Sequence, residues 1–574
     1  MPHYSKTSSI NRRQALSLIV GTGTVIITGC FNARISSRKA TIDDEAFAQG
    51  VASGDPTAEG FVLWTRREPG AFPARSLVAE VAEDAGFQRV VAETTIPIEQ
   101  AVDFTVRVLV RSLEPDHLYY YRFVDDTGRA SRTGRSFTAP VPETATTVNF
   151  AFVSCQNVGL GYCTPYRRLL AEDEAKPVAE QLRFILHLGD FIYDEVWYPE
   201  ERTRGFLGRK LRNFVRFPDG GKAGETRFPV TVADYRALYR GYLTDPDLRA
   251  ARARWPFVCV WDDHDFTSDA WQSQENYEEA RPAQKRKVAA NQAWFEYIPA
   301  RVLQLETELP GIQSRYFVAP EVENSPLTAI DEDGLSREIN NLRAIDSLRI
   351  YRRLRFGRNL DLILTDNRSY RSEPAINWAG ALQPAPLFYS PQDIVEILDA
   401  GRTYQPAPPR TIRFAGKDMP NPRADAPAGT MLGATQKRWF LAQLRDSDAT
   451  WKLWGNSLGM LDRRSDLHNL PAEKRSLWGG TGFGLLGAND WCGYPTERAE
   501  IVKFVAAEAI ANVVSLAGDR HNFFAGSLSV SNRLDLYRPV IAEFVVSSIT
   551  TITSFEAAAY IVPRTQGPTE LFVQ

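Results

Sequence analysis

The stretch Phe184-Ile185-Leu186-His187-Leu188-Gly189-Asp190-Phe191-Ile192-Tyr193 decides the fold. Residues 184–188 contain no acid, Lys or Arg and form a run of strand length that suits burial on both faces. Gly189 permits a sharp exit, so the Asp190 carboxylate can project above the strand end. The pattern recurs. Run 148–153 precedes Ser154-Cys155-Gln156, and run 257–261 precedes Asp262-Asp263-His264-Asp265. Run 360–364 precedes Thr365-Asp366-Asn367-Arg368, and run 513–516 precedes Gly518-Asp519-Arg520-His521. With helical segments between them, these runs predict an α/β sheet covered on both faces, whose ligand-binding groups sit at the carboxyl ends of the strands.

Outward from this core, residues from about 47 to 140 give short runs rich in Val, Thr, Phe and Tyr between turn residues, which predict a small β-sandwich. Pro140-Val141-Pro142-Glu143-Thr144 reads as a linker before the α/β part. The domain plan is therefore a segment 1–29, a sandwich over 45–143 and a larger domain over 148–560. Segment 1–29 carries Lys6, Arg12 and Arg13 without an acid, then an apolar run too short to span a bilayer. Arg12-Arg13 resembles the twin-arginine export motif, and Ile27-Thr28-Gly29-Cys30 resembles a lipoprotein box with Cys30 as the lipidated residue. Export to the periplasm or cell surface, with the Tat machinery as partner, is the expectation; an ordinary cleaved signal peptide gives the same location.

The 574-residue chain is 44% hydrophobic, enough for one large core and a second, smaller unit. A formal net charge of -3 gives no sign of a nucleic-acid-binding surface. Cysteines at 30, 155, 163, 259 and 492 are too few for a disulfide scaffold. A Cys155–Cys163 bridge would remove a ligand-type thiol from a strand end. Residues 202–227 hold eight Lys or Arg against Asp219 and Glu225, and read as a solvated insertion; a lid or a phosphate-attracting rim is the functional alternative.

Donors at successive strand ends suit a pair of cations bridged by a shared carboxylate. Such a pair can supply a deprotonated water and neutralise a transferring phosphoryl group. Asp190 is the expected bridge. Tyr193 reaches the same centre if the exit makes one turn, and a phenolate favours a hard trivalent ion such as ferric iron; Cys155 adds a thiolate. Asp519 and His521 can face two different ions. Asp262 and Asp263 are both candidate ligands, and His264 suits protonation of a leaving group. Taken singly, Cys155 and Tyr193 are ordinary core residues and Asp262 or Asp265 ordinary caps; only together do they point to chemistry. Arg368 is either a phosphate clamp or a structural ion pair, and Asn456 is equally ambiguous. His187 reads as a hydrogen-bonded core histidine, while His117 and His468 lack polar company.

Ser154-Cys155-Gln156, Gly189-Asp190-Phe191-Ile192-Tyr193, Trp261-Asp262-Asp263-His264-Asp265 and Gly518-Asp519-Arg520-His521 resemble, in order and spacing, the motifs of the alkaline phosphatase D family of calcineurin-like metallophosphatases, from about residue 45 to 550. The resemblance implies a calcineurin-like metallophosphoesterase sandwich preceded by a fibronectin-like β-sandwich. It further implies Fe3+ and Ca2+ as cofactors, and phosphomonoesterase or phosphodiesterase activity toward a small-molecule or lipid phosphate ester. By position, Cys155, Asp190, Tyr193 and His521 would hold iron, and Asp190, Asp263 and Asp519 calcium. The family has Glu where this chain has Asp194, and an acid where it has Cys492. The mechanism expected is attack by a metal-activated hydroxide, with Arg368 or Arg520 stabilising the transferring oxygens and His264 assisting departure. A phospholipase D-type phosphodiesterase and an inactive exported binding protein of the same fold are the alternatives. All of this requires Cys155 and His521 to lie far closer than ~10 Å to Asp190, since ligand bonds are roughly 2 to 2.6 Å.

Overall fold

The computed structural model describes residues 26–28, 33–70, 73–205, 208–275, 281–302, 316–375, 377, 389–414, 417–466, 482–531 and 535–553. Most of segment 1–29, together with Cys30 and His468, lies outside the described residues. Among the described residues, no helix is long and apolar enough to cross a membrane.

The strand Phe184–Leu188 is buried at every position and lies between the parallel strands Phe150–Val153 and Pro256–Val260. Both of its faces are covered, which is why the run does not alternate. The second sheet has the order Arg352–Phe356, Leu360–Leu364, Trp451–Gly455, Val513–Ala517, Ile541–Val545, Phe524–Leu528. Its faces separate by alternation along the strands. Leu362, Leu364, Leu453 and Leu516 share a core with Phe184, Leu186 and Leu188. Ile363, Trp454, Val513 and Ile541 pack with Phe440 and Leu444 of the helix Gly433–Arg445 and with Ile501, Val502 and Val505 of the helix Pro495–Ala507. Each such apolar side chain contributes ~1.5–3 kcal/mol by leaving water.

The helices Val232–Tyr242 and Gln284–Tyr297 join the core of the first sheet through Tyr235, Leu238, Tyr239, Trp294 and Phe295. The first of them starts on a capping box between Thr231 and Asp234. Asp245 caps the helix Pro246–Arg254, whose proline costs nothing at that position because the missing N–H has no helical partner.

Near the amino terminus, Leu118–Asp125, Ser76–Ala82 and Val90–Pro97 form one sheet with shorter strands, packed through Leu77, Ala79, Tyr121 and Phe123 on Phe61, Leu63, Val106 and Val108. This is a β-sandwich on a mixed α/β body. The sandwich is not set apart by a free sheet edge, however. Val51–Thr57 pairs in parallel with Pro256–Val260 at Ser53 and Gly54, so both regions share one seven-stranded sheet. The backbones approach closely at Gly54, where a Cβ would lie 2.0 Å from the Pro299 carbonyl oxygen.

His187 is buried, as expected of a core residue, but neither ring nitrogen has a hydrogen-bond partner. Burial, reinforced by the Arg252 charge, draws its pKa down to about 3 and keeps it neutral. Cys155, Cys163, Cys259 and Cys492 are all buried and free.

Candidate metal centre

Register brings the strand ends level. Val153 stands opposite His187, and Leu188 opposite Val260; in the second sheet Gly455 stands between Leu364 and Leu516. The exits are tied together: Cys155 N donates to Gly189 O at 3.3 Å and Gln156 N to Asp190 O at 3.2 Å. The Asp265 carboxylate accepts from Asp262 N (3.0 Å), Phe191 N (3.4 Å) and Ile192 N (3.4 Å), locking two exits to each other. Gly189 has φ +99°, and a Cβ there would sit 2.5 Å from Asp262 Cβ, so no side chain fits.

Cys155, Asp190, Asp519 and His521 all adopt left-handed backbone, with φ of 59°, 54°, 64° and 55°. Such conformations cost roughly 1 kcal/mol or more each and persist where the surrounding structure enforces them. Here they turn side chains from different strand ends toward one point. Tyr193 Oη donates to Asp190 Oδ2 at 2.9 Å and lies 3.1 Å from His521 Nε2. Donor atoms of Cys155, Asp190 and His521 lie within 4.8 Å of one another, as do those of Asp190, Asp263 and His264, and of Asp262, Asp263 and Asp519. Asp190 belongs to two of these groups and Asp263 to two.

The electrostatics are those of donors crowded together. Burial, then the charge of Asp263, pushes the Asp190 carboxyl well above the usual range. Burial and Asp262 push Asp519 up to about 8. Burial, then Asp190, lifts the Cys155 thiol and the Tyr193 phenol far above their ordinary values. Burial, then the charge of His264, draws His521 down to about 4. Asp263 goes the other way: burial opposes it, but Arg368 and His264 hold it below the usual carboxylate range. The carboxyl, thiol and phenol groups pushed toward their neutral forms become ligands by losing a proton to a cation, while the neutral His521 imidazole ligates as it stands. Within the donor cluster, the buried Asp262 Oδ2 has no hydrogen-bond partner. Thiol, phenol, imidazole and carboxylates in this arrangement fit bound cations.

Arg368 belongs to the site. Its Nε lies 2.6 Å from Asp262 Oδ1, and its Nη2 lies 3.2 Å from Asp263 Oδ1 and 3.4 Å from Asp519 Oδ1. Its Nη1 has no hydrogen-bond partner. His264 stacks on Tyr193 at 4.2 Å between ring centroids. Its Nδ1 is 2.9 Å from Asp194 Oδ1, and Asp194 Oδ2 is held by Arg286 Nη2 at 2.9 Å. Asp194 is a residue of this cluster that the strand-end pattern does not single out; its position directly after Tyr193 is the available signal. Glu195, beside it, has its carboxyl raised by burial.

Arg520 does not join the centre. Its guanidinium is fully buried against Asp490 (Nε–Oδ2 3.0 Å) and the Gly459 carbonyl (Nη2–O 2.6 Å), so the expected contact with transferring oxygens gives way to an anchoring role. Asp490 supplies the countercharge there. Asn456 Oδ1 accepts from Asn367 Nδ2 and from Trp491 Nε1 at 3.1 Å, which spends that oxygen on the scaffold. Cys492 is buried beside Arg520, its Sγ 3.7 Å from Nη2. In the described part of 202–227 the basic side chains are half-buried or exposed, as a solvated insertion requires. Arg216 pairs with Glu200 and Arg227 with Glu201, while Leu211, Arg212 and Phe214 line a cavity with His264 and His521.

Two family models match this chain: PhoD-like phosphatase over residues 150–570 and PhoD-like phosphatase, N-terminal domain, over residues 33–140. Alkaline phosphatase D of Bacillus subtilis (strain 168) is 26% identical over 515 residues, covering 88% of this chain and 69% of the relative. A solved structure of PhoD superposes with a TM-score of 0.60 at 25% identity, covering 90% of this chain and 79% of that one.

Proposed function

Given that this chain belongs to the PhoD-like phosphatase family and is a phosphoester hydrolase, we propose that it works with a ferric ion held by Cys155, Asp190, Tyr193 and His521 and with calcium held by Asp190, Asp263 and Asp519. The observation that carries this reading is the convergence of Cys155, Asp190 and His521 donors within 4.8 Å, although they stand far apart in sequence. Asp263 belongs to two donor groups and Asp262 to one, but both Asp263 oxygens are engaged, by Arg368 Nη2 and by Asp269 N, whereas Asp262 Oδ2 has no hydrogen-bond partner, so either carboxylate can ligate. Cations bound there would acidify a water and draw charge from the phosphoryl oxygens.

The protein's own groups do the rest. Arg368, held on Asp262, Asp263 and Asp519, sets a fixed positive charge against the donor cluster where the phosphoryl oxygens would lie. Asp194 fixes the His264 ring through Nδ1, which leaves Nε2 to carry the proton to the departing alcohol. The surrounding contacts that enforce left-handed backbone at the ligand residues hold the donors in place, so little reorganisation is required during reaction.

Elemental analysis of purified protein and turnover of 4-nitrophenyl phosphate and bis(4-nitrophenyl) phosphate test the cations. Chelation is expected to lower turnover by at least ~10^3-fold, with recovery on adding ferric and calcium ions together. Undiminished turnover by metal-free protein would sink the reading.

Export through the Tat machinery and lipidation of Cys30 rest on Arg12-Arg13 and Ile27-Thr28-Gly29-Cys30. The expected mature protein begins at Cys30 and carries the mass of an added lipid. An unprocessed amino terminus on protein recovered from the producing cell would contradict this.

A further inference from the structure

A cavity of about 240 Å³ opens beside Tyr193, His264 and His521. Its apolar wall is Leu160, Val196, Trp197, Leu211, Phe214 and Ile552, drawn from four separate stretches of chain. Val196, Leu211 and Ile552 are buried. Arg212 and Trp197, which also line it, spend polar groups on the scaffold. Arg212 Nη1 donates to the Val158 and Gly161 carbonyls at 2.8 Å each, and its guanidinium lies 4.2 Å from the Tyr162 ring centroid. Trp197 Nε1 donates to Thr226 Oγ1 at 3.1 Å. Asn157, Glu195, Thr551 and Thr553 complete the lining.

We infer that this cavity receives the leaving group of the phosphoester, and that it selects esters of apolar alcohols or phenols over those of glycerol or sugars. The inference rests on the role of His264 set out under Proposed function. With phosphorus over the Asp190 cluster and the departing oxygen at His264, the remainder of the alcohol points into the space that His264 itself lines. An alkyl or aryl group there leaves water for an apolar wall. A hydroxyl-rich group gives up hydrogen bonds to water and finds Arg212 Nη1, Trp197 Nε1 and Thr551 Oγ1 already paired, with the Glu195 carboxyl left as a partner. The volume lies below the ~300 Å³ lower end of pockets that enclose a whole small molecule, which suits one substituent of a substrate whose phosphate sits outside.

The test is kcat/KM for methyl, butyl and hexyl phosphate and for the matching methyl n-alkyl phosphodiesters, following release of the longer alcohol, with metal-replete full-length protein. The alcohols differ little in acidity, so the series reads binding of the chain. Burial of each methylene favours the longer ester by up to about fourfold, so a rise of at least about tenfold from methyl to butyl is expected, levelling by hexyl as the cavity fills. Propyl phosphate should likewise be preferred to glycerol 3-phosphate. Leu211→Asn and Ile552→Asn, placed on different segments, should each flatten the series. A flat or falling series, or one left equally steep in both variants, overturns the inference while the hydrolase chemistry stands. Absence of turnover on every ester and on the nitrophenyl substrates instead overturns the role of the cation cluster, and the cavity's role falls with it.

Discussion

Asp190→Asn is expected to lower turnover of an aryl phosphate by at least ~10^3-fold and to strip the protein of bound cations together. The substitution keeps the side-chain volume and exchanges a bridging carboxylate for an amide. In the structure Asp190 accepts from Tyr193 Oη at 2.9 Å and from His264 N at 3.3 Å, and it is the residue common to the Cys155–His521 and Asp263–His264 donor groups. On the proposed assignment both cations therefore lose a ligand at once. An amide oxygen is a weaker donor without charge, and the neighbouring thiol and phenol lose the cation that would deprotonate them. Folding should survive, because burial and the Asp263 charge already push the cation-free Asp190 carboxyl toward its neutral form, which an amide of the same shape reproduces. Metal content and turnover are measured on the same sample; retention of both at full level would remove Asp190 from the bridging position.

The second large effect is expected at His264. His264→Ala should reduce kcat/KM for alkyl phosphates by about 10^2- to 10^4-fold, the range for a positioned general acid, and much less for 4-nitrophenyl phosphate, whose leaving group departs without help. Asp194→Asn should show the same dependence on leaving group with a smaller loss, about 10- to 100-fold, because it acts through the imidazole. Combined, the two substitutions should cost little more than His264→Ala alone, as for residues that act as a unit. Rates across a leaving-group series supply the measurement. An equal loss for good and poor leaving groups would mean that His264 serves as a ligand instead, which its place in the Asp190–Asp263 donor group makes a concrete competing outcome.

The strand ends were legible because their signal is local. An apolar run followed by Gly189-Asp190 or Gly518-Asp519 carries strand, exit and donor within a few residues. The same locality misled at Arg520. It sits between Asp519 and His521 in the chain, yet its side chain is claimed by Asp490 and the Gly459 carbonyl, partners contributed by distant loops. Arg368, just as ambiguous in sequence, is drawn into the centre by Asp262, Asp263 and Asp519. His187 was correctly placed in the core, but its want of hydrogen-bond partners is a property of the packing around it.

By itself, the sequence determined the α/β layering, the amino-terminal sandwich and the strand ends that bear the donors, since burial periodicity and turn chemistry act over a few neighbouring residues. Only the tertiary structure decided which way each polar side chain points. The left-handed backbone at Cys155, Asp190, Asp519 and His521, the Asp194–His264 contact and the apolar cavity walled by Leu160, Trp197, Phe214 and Ile552 all arise where segments far apart in the chain meet. Nothing in the spacing of one segment encodes the partner that another will present.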